Sequence, residues 1–195
     1  MPALFNREEF RDNCGFGLVA NINGVKSHKI IINSIDALIS MTHRGGVGSD
    51  GKTGDGCGLL FDIDHKFYAD TILNEQNINL GDHFAIGQVF FNDDLENILP
   101  KIKKILKREK LELQTYRVVP TNEKILGPIA FNCMPKIYQL FIKPLNKDFN
   151  QDIFETGLLQ ARKFIEELYS NDEVLYVCSM SSKTIVYKGL MLPDA

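Results

Sequence analysis

The chain has 195 residues, a mass of 22.1 kDa, 44% hydrophobic and 24% charged residues, and a formal net charge of -3. That suits one sizeable domain of ordinary soluble balance, and the charge excludes a general electrostatic pull on nucleic acid. No window approaches the ~18 apolar residues of a membrane span. The first thirteen residues, MPALFNREEFRDN, are too interrupted for a secretory signal, so a cytoplasmic location is expected.

Taken in chain order, residues 15–22 (GFGLVANI) suit a short strand. Residues 28–42 read as a helix with Ile31, Ile35, Leu38, Ile39 and Thr42 on one stripe, and Ser27 is placed to cap it. A turn-rich loop follows at 43–58, with seven glycines in HRGGVGSDGKTGDGCG. LLFDI then reads as a strand, 64–75 as a helix and 83–91 as a strand. Residues 92–110 are amphipathic, with Leu95, Ile98, Leu99, Ile102, Ile105 and Leu106 on one face, and Pro100 near the start of the regular part. Strands are expected at 111–119 and 138–145. A helix at 151–169 carries Ile153, Phe154, Leu158, Ala161, Phe164, Ile165 and Leu168. Two more strands, 174–179 and 184–190, are joined through MSSK, as in a hairpin. This mixture implies a layered α/β or α+β fold whose strands are covered on both faces.

Two features invite a function they do not support. Residues 46–53, GVGSDGKT, match the phosphate-binding pattern G-x-x-x-x-G-K-[ST]. Such a loop must follow a strand and open a helix, whereas here a helix precedes it and further glycines follow. The lysines and arginine from Lys101 to Lys110 lie opposite an apolar stripe and lack interleaved aromatic rings, so they read as a solvated helix face.

The cysteines, Cys14, Cys57, Cys133 and Cys178, form no CxxC pair. Their spacing suits neither a zinc knuckle nor an iron–sulfur loop. Cys57, Cys133 and Cys178 are expected to be buried thiols. Cys14 differs, because it stands in DNCGFG close to the start of the chain. A cysteine nucleophile needs a base. His28, His43, His65 or His83 could supply one. Alternatively, cleavage between Asn13 and Cys14 would free an α-amine of pKa about 7.7–8.0, so that one residue carries both nucleophile and base.

The run CGFGLVANINGVKSHKIIINSIDALISMTHRGGVGSDGKTGDGCGLLFDI, together with the tail SSKTIVYKGLM, resembles the amidotransferase region at the start of glutamate synthase large chains. The likeness rests on the Cys-Gly start, the Ser-His-Lys helix entry, HRG, GSD and TGDG, and covers residues 14–192. It implies an α+β fold, the four-layer α/β/β/α sandwich of the N-terminal-nucleophile hydrolases, and a class II glutamine amidotransferase. It also implies a cleavable leader at 1–13, with the domain running through 14–195. Cys14 would be the nucleophile that hydrolyses L-glutamine to glutamate and ammonia through a thioester. Gly15, His43, Arg44, Gly45, Asp50 and Asp55 would form the active-site loop, with Arg44 organising it and the two aspartates shaping it. Cys57 stands where the family's TGDG motif is expected to be followed by a smaller residue.

The resemblance also implies what lies elsewhere. The family's domain continues past its YKGL hairpin and there supplies an arginine, an Asn-Gly pair and an aspartate for the substrate. The fold is therefore expected to be incomplete here, and Arg117, Asn132 and Asp148 are not given those roles. FMN, an iron–sulfur cluster, the C-terminal synthase region and a small electron-donor subunit are implied for the complete protein; no cofactor or metal is assigned to this segment. Neither nucleic acid nor membrane is expected as a partner. A noncatalytic structural domain, a nucleotide-binding module and a generic cysteine hydrolase are the competing readings.

Overall fold

A computed structural model describes residues 15–146, 149–168 and 175–194. In chain order the regular elements are α1 (His28–Ser40), β1 (Cys57–Asp62), α2 (His65–Gln76), β2 (Ala85–Phe91), α3 (Leu99–Arg108), β3 (Leu111–Val118), α4 (Pro128–Asn132), β4 (Lys136–Pro144), α5 (Gln151–Glu167), β5 (Leu175–Ser181) and β6 (Thr184–Gly189). Two compact units emerge. One is drawn from Met1–Gly58, Lys124–Asn132 and Lys188–Ala195, the other from Leu59–Glu123 and Cys133–Tyr187.

The second unit is built on a four-stranded antiparallel sheet in the order β3-β4-β2-β5. Ala85, Val89 and Phe91 of β2 enter one apolar cluster with Ile102 and Leu106 of α3 and with Phe154, Leu158, Ala161 and Ile165 of α5. Ile86 joins the opposite cluster, with Phe141, Tyr68 and Ile72 of α2, and Ile185 of β6. The period-two alternation of a strand produces this division. Because both faces are covered, β2 is almost continuously apolar. Each fully buried Phe or Leu here contributes about 1.5–3 kcal/mol of transfer free energy. Helices α2 and α5 start at side-chain caps. The Asp64 carboxylate accepts from Phe67 N at 3.1 Å, and the Asn150 side chain accepts from Asp152 N at 2.8 Å. Asn77 ends α2 in the left-handed region, at φ 56°.

Several expectations need correction. Residues 15–22 belong to no sheet, and Phe16, Leu18 and Ile22 are exposed. Strand propensity alone does not satisfy backbone donors and acceptors; a ladder partner must do so. Helix α1 forms but buries none of its residues, and the Ser27 hydroxyl makes no capping hydrogen bond there. In α5, Ile153 is exposed, and the buried stripe is narrower than its periodicity suggests. Cys178 is buried as expected, Cys57 is half-buried, and Cys133 is exposed just after α4.

The last two strands do not pair as a hairpin. β5 pairs with β2, while β6 pairs with β1. Glu155 of α5 organises the corner between them, accepting from Ser181 Oγ at 2.9 Å, Ser182 N at 2.8 Å and Ser182 Oγ at 2.5 Å. A register shift in β5 between the partners of Gln88 and Val89 inserts Cys178 as an extra residue. The bulge lets successive side chains reach the same residue of β6. Ser179 Oγ accepts from Val186 N at 3.2 Å, and Cys178 Sγ donates to Val186 O at 3.6 Å.

A polar row crosses the sheet in register: Arg117, Gln139, Gln88 and Ser179 come from four different strands. Arg117 donates to Gln139 Oε1 and to Glu75, each at 2.8 Å. Gln139 Nε2 donates to Tyr187 OH at 2.8 Å, and Tyr187 OH lies 2.8 Å from Tyr68 OH. Burial, followed by the Tyr187 hydroxyl, pushes the Tyr68 phenol well above its usual pKa. Tyr187→Phe would leave both Gln139 Nε2 and Tyr68 OH short of a partner. It is expected to cost about 1–3 kcal/mol, read as a lower denaturation midpoint. A loss below ~0.5 kcal/mol would show that the row contributes no more than an ordinary surface contact.

Candidate active site

Gly15, His43, Arg44, Gly45, Asp50 and Asp55 lie in the first unit. Cys14 itself is outside the described residues. Its neighbour Gly15 is within them, and a side chain there would begin 3.2 Å from Arg44 Nε and 3.4 Å from Met41 Sδ. The Arg44 side chain therefore runs along the backbone immediately after Cys14. A tight turn presents it. After α1 ends, the Thr42 hydroxyl donates to Ile39 O at 2.6 Å, and Thr42–Arg44 forms a single 3₁₀ turn. Arg44 N and Gly45 N donate to Met41 O and Thr42 O at 2.9 and 3.1 Å. His43 is exposed on that turn.

From Gly46 to Asp55 the chain doubles back on itself. Gly48 N donates to Thr53 O at 2.7 Å, Asp55 N donates to Gly46 O at 3.3 Å, and Val47 bridges Gly54. Gly51 turns the tip at φ 69°, a conformation that favours glycine. Asp55 sits over the opposite end. Its carboxylate lies 3.1 Å from where a Gly45 side chain would start and 3.5 Å from the equivalent point on Gly46. The adjacent glycines of HRGG thus make room for a carboxylate. Cys57 follows closely, and burial, then the Asp55 charge, raises its thiol pKa. That disfavours the thiolate, so Cys57 is a poor rival nucleophile.

Asp50 does separate work at the tip. One of its carboxylate oxygens accepts from Lys52 N at 3.0 Å and Thr53 N at 2.8 Å. The other accepts from Thr53 Oγ at 2.6 Å and from Ile129 N at 3.1 Å. The Thr53 hydroxyl, then its backbone N–H, hold the Asp50 carboxyl well below the usual carboxylate range; Lys52 N–H and Ile129 N–H act in the same direction against partial desolvation. With its pKa depressed on folding, Asp50 stabilises the loop fully at neutral pH and loses that effect progressively as pH falls from the usual carboxylate range through its lowered value.

The same contacts dispose of the phosphate-loop likeness. The Lys52 and Thr53 amides, which a phosphate would need, already serve a carboxylate, and the element that follows Thr53 is strand β1, not a helix. The structure thus joins Gly15 with Arg44 and Gly45 with Asp55, while Asp50 faces residues 127–130. Sequence reasoning missed Thr53, Gly54 and Gly127. Their only signal was small residues in a glycine-rich run and in LGP, too weak to identify partners more than seventy residues away. An open groove of about 380 Å³ also lies between residues 19–23 and the start of α1, lined partly by Asn21, Lys29 and Asn33. It contains none of the expected site residues.

Among the described residues no group of three or more His, Cys, Asp or Glu side chains is arranged for a metal ion, and the Cys178 thiol is committed to Val186 O. No helix among the described residues is long and apolar enough to cross a membrane.

Comparison with known proteins places these residues in context. Residues 14–195 match the family "Glutamine amidotransferases class-II", and the match begins at Cys14. The chain is 35% identical to ferredoxin-dependent glutamate synthase 1, chloroplastic/mitochondrial, of Arabidopsis thaliana, over 100% of its own length and 12% of that protein's. It is 35% identical to the glutamate synthase [NADPH] large chain of Bacillus subtilis, over 98% of its length and 13% of the relative's. It is 34% identical to glutamate synthase [NADH] of Saccharomyces cerevisiae, over 97% of its length and 9% of the relative's. It therefore spans only a small part of these relatives, but with a family match from Cys14 to its last residue, the chain belongs to the class II glutamine amidotransferases.

Proposed function

We propose that this chain is the glutaminase segment of a glutamate synthase, with Cys14 as its nucleophile. The family match beginning at that cysteine carries the reading, and the packing of Arg44 against Gly15 supports an ordered loop beside it. Removal of residues 1–13 would expose the Cys14 α-amine. In its neutral form that amine takes the thiol proton, and the thiolate attacks the side-chain amide of L-glutamine. The amine returns the proton to the departing nitrogen, ammonia leaves, and a γ-glutamyl thioester remains. Water then hydrolyses the thioester, giving glutamate and restoring the thiol. Arg44, Gly45 and Asp55 hold the loop beside this centre. His43 belongs to the same turn and takes no proton in this scheme.

The same proposal includes the four-layer α/β/β/α sandwich and a cytoplasmic location. In the complete protein, ammonia would pass to a synthase region that aminates 2-oxoglutarate. FMN, an iron–sulfur cluster and an electron-donor subunit would serve that region. No step within this segment depends on them.

The deciding measurement is the intact mass and N-terminal sequence of the native polypeptide. The expected sequence begins CGFGLV. A native polypeptide that still begins at Met1 or Pro2 lacks the Cys14 α-amine and overturns the mechanism.

A further inference from the structure

We propose that Thr53, acting with Asp50, is a positioning residue for the Cys14 centre, clamping the glycine-rich loop onto residues 127–130. The inference rests on the glutaminase reading but concerns residues to which that reading gives no chemical step. Thr53 is buried, and its hydroxyl is used twice, donating to Asp50 Oδ2 at 2.6 Å and accepting from Ala130 N at 3.2 Å. Asp50 completes the clamp by accepting from Ile129 N at 3.1 Å. The two side chains thereby accept from successive N–H groups near the start of α4. The approach is close enough to demand glycine opposite. A side chain on Gly127 would begin 2.5 Å from both Asp50 Oδ2 and Thr53 Oγ, and 2.7 Å from Thr53 N.

The clamp grips one end of a short, stiff lever. Gly48 N–Thr53 O and Asp55 N–Gly46 O tie its two arms together. At the far end Asp55 lies against Gly45, next to Arg44, and Arg44 lies against Gly15. A shift at Thr53 is therefore passed through paired backbone to the residue adjoining the nucleophile. Displacements of about 1 Å at a reacting centre cost up to roughly 100-fold in rate. Threonine suits the role because one hydroxyl both donates and accepts. Valine has nearly the same shape and can do neither.

The test compares glutamine hydrolysis by the full-length protein with Thr53→Val, Thr53→Ser and Cys14→Ala variants, together with amide hydrogen exchange at Ile129 and Ala130. Thr53→Val is expected to lower kcat by about tenfold or more, with KM changed less than kcat, and to speed exchange at both amides. Thr53→Ser is expected to restore most of the rate and the protection. If Thr53→Val does not fold, Ile129→Pro removes one donor from the other side of the clamp and should lower kcat in the same direction. Wild-type kcat in the valine variant, or in the proline variant where the valine one is unfolded, overturns the positioning role, provided Cys14→Ala is inactive. Full glutaminase activity in Cys14→Ala overturns the nucleophile assignment and the positioning inference with it.

Discussion

Cys14→Ala is expected to abolish glutamine hydrolysis, lowering kcat by roughly 10⁴-fold or more, while leaving the thermal midpoint of the folded protein nearly unchanged. The large loss follows from the proposed chemistry. Alanine cannot form the thioester, and neither Cys57 nor Cys178 is suited to replace Cys14. Cys57 is held in its protonated form by burial and by Asp55, and Cys178 donates to Val186 O within the corner between β5 and β6. Alanine would also block a self-cleavage that depends on Cys14, so residues 1–13 should remain attached. Mass spectrometry and a steady-state ammonia assay on one preparation read both effects. Retained leader with full activity would overturn Cys14 as the nucleophile and remove both its thiol and its α-amine from the mechanism. Loss of both is the expected pattern. Lys52→Ala is the counter-control. Its neighbouring amides are held by Asp50 rather than by a ligand, so glutamine turnover should stay within about twofold, as for an ordinary surface substitution.

The parts of the fold legible in the sequence were those in which one local signal agreed with its surroundings. In α3, Ile102 and Leu106 fall on the stripe that the sheet buries, with Lys101, Lys103, Lys104 and Lys107 outside. Pro100 sits in the first turn, where its missing N–H costs little. Residues 15–22 have similar local credentials as a strand, but a strand is a property of a pair, and neither sheet includes them. The tail failed for a related reason. The short link MSSK between apolar runs reads as a hairpin, yet Glu155, which captures Ser181 and Ser182, lies 26 and 27 residues away on a helix. The polar row is equally nonlocal. Arg117, Gln139, Gln88 and Ser179 look unrelated until antiparallel register aligns them.

The candidate site divides in the same way. Cys14 and the HRG, GSD and TGDG motifs stood out because cysteine chemistry and glycine density are visible one residue at a time. The contacts that shape the loop were hidden. Asp50 resembled any turn aspartate until Ile129 N was found on it, 79 residues away. Resemblance named the neighbourhood, while geometry separated Asp55, packed on Gly45, from Asp50, fastened to residues 127–130.

Gly54→Ala should be the most damaging of the conservative glycine substitutions in this loop. The new methyl would lie 2.4 Å from Met191 O, 2.7 Å from Met191 C and 3.1 Å from Leu192 N. These are backbone atoms, so rotating a side chain gives no relief. Either the Val47–Gly54 bridge or the chain around Met191 must move. Overpacking of this kind costs about 1–3 kcal/mol, sometimes more, corresponding to a fall of roughly 2–12 °C in the midpoint for a domain of this size. Two neighbouring glycines calibrate the result. Gly51→Ala meets no atom within 4 Å but keeps φ 69°, so only backbone strain of about 1–2 kcal/mol is expected. Gly17→Ala meets neither a close atom nor a positive φ and should be nearly silent. Hydrogen exchange should place the Gly54→Ala damage at residues 46–55 and 189–192, with the α3 and α5 amides still protected. Wild-type exchange at those loop segments would mean that the backbones do not approach as described. Loss of protection throughout would mean instead that the contact supports the whole chain rather than the loop.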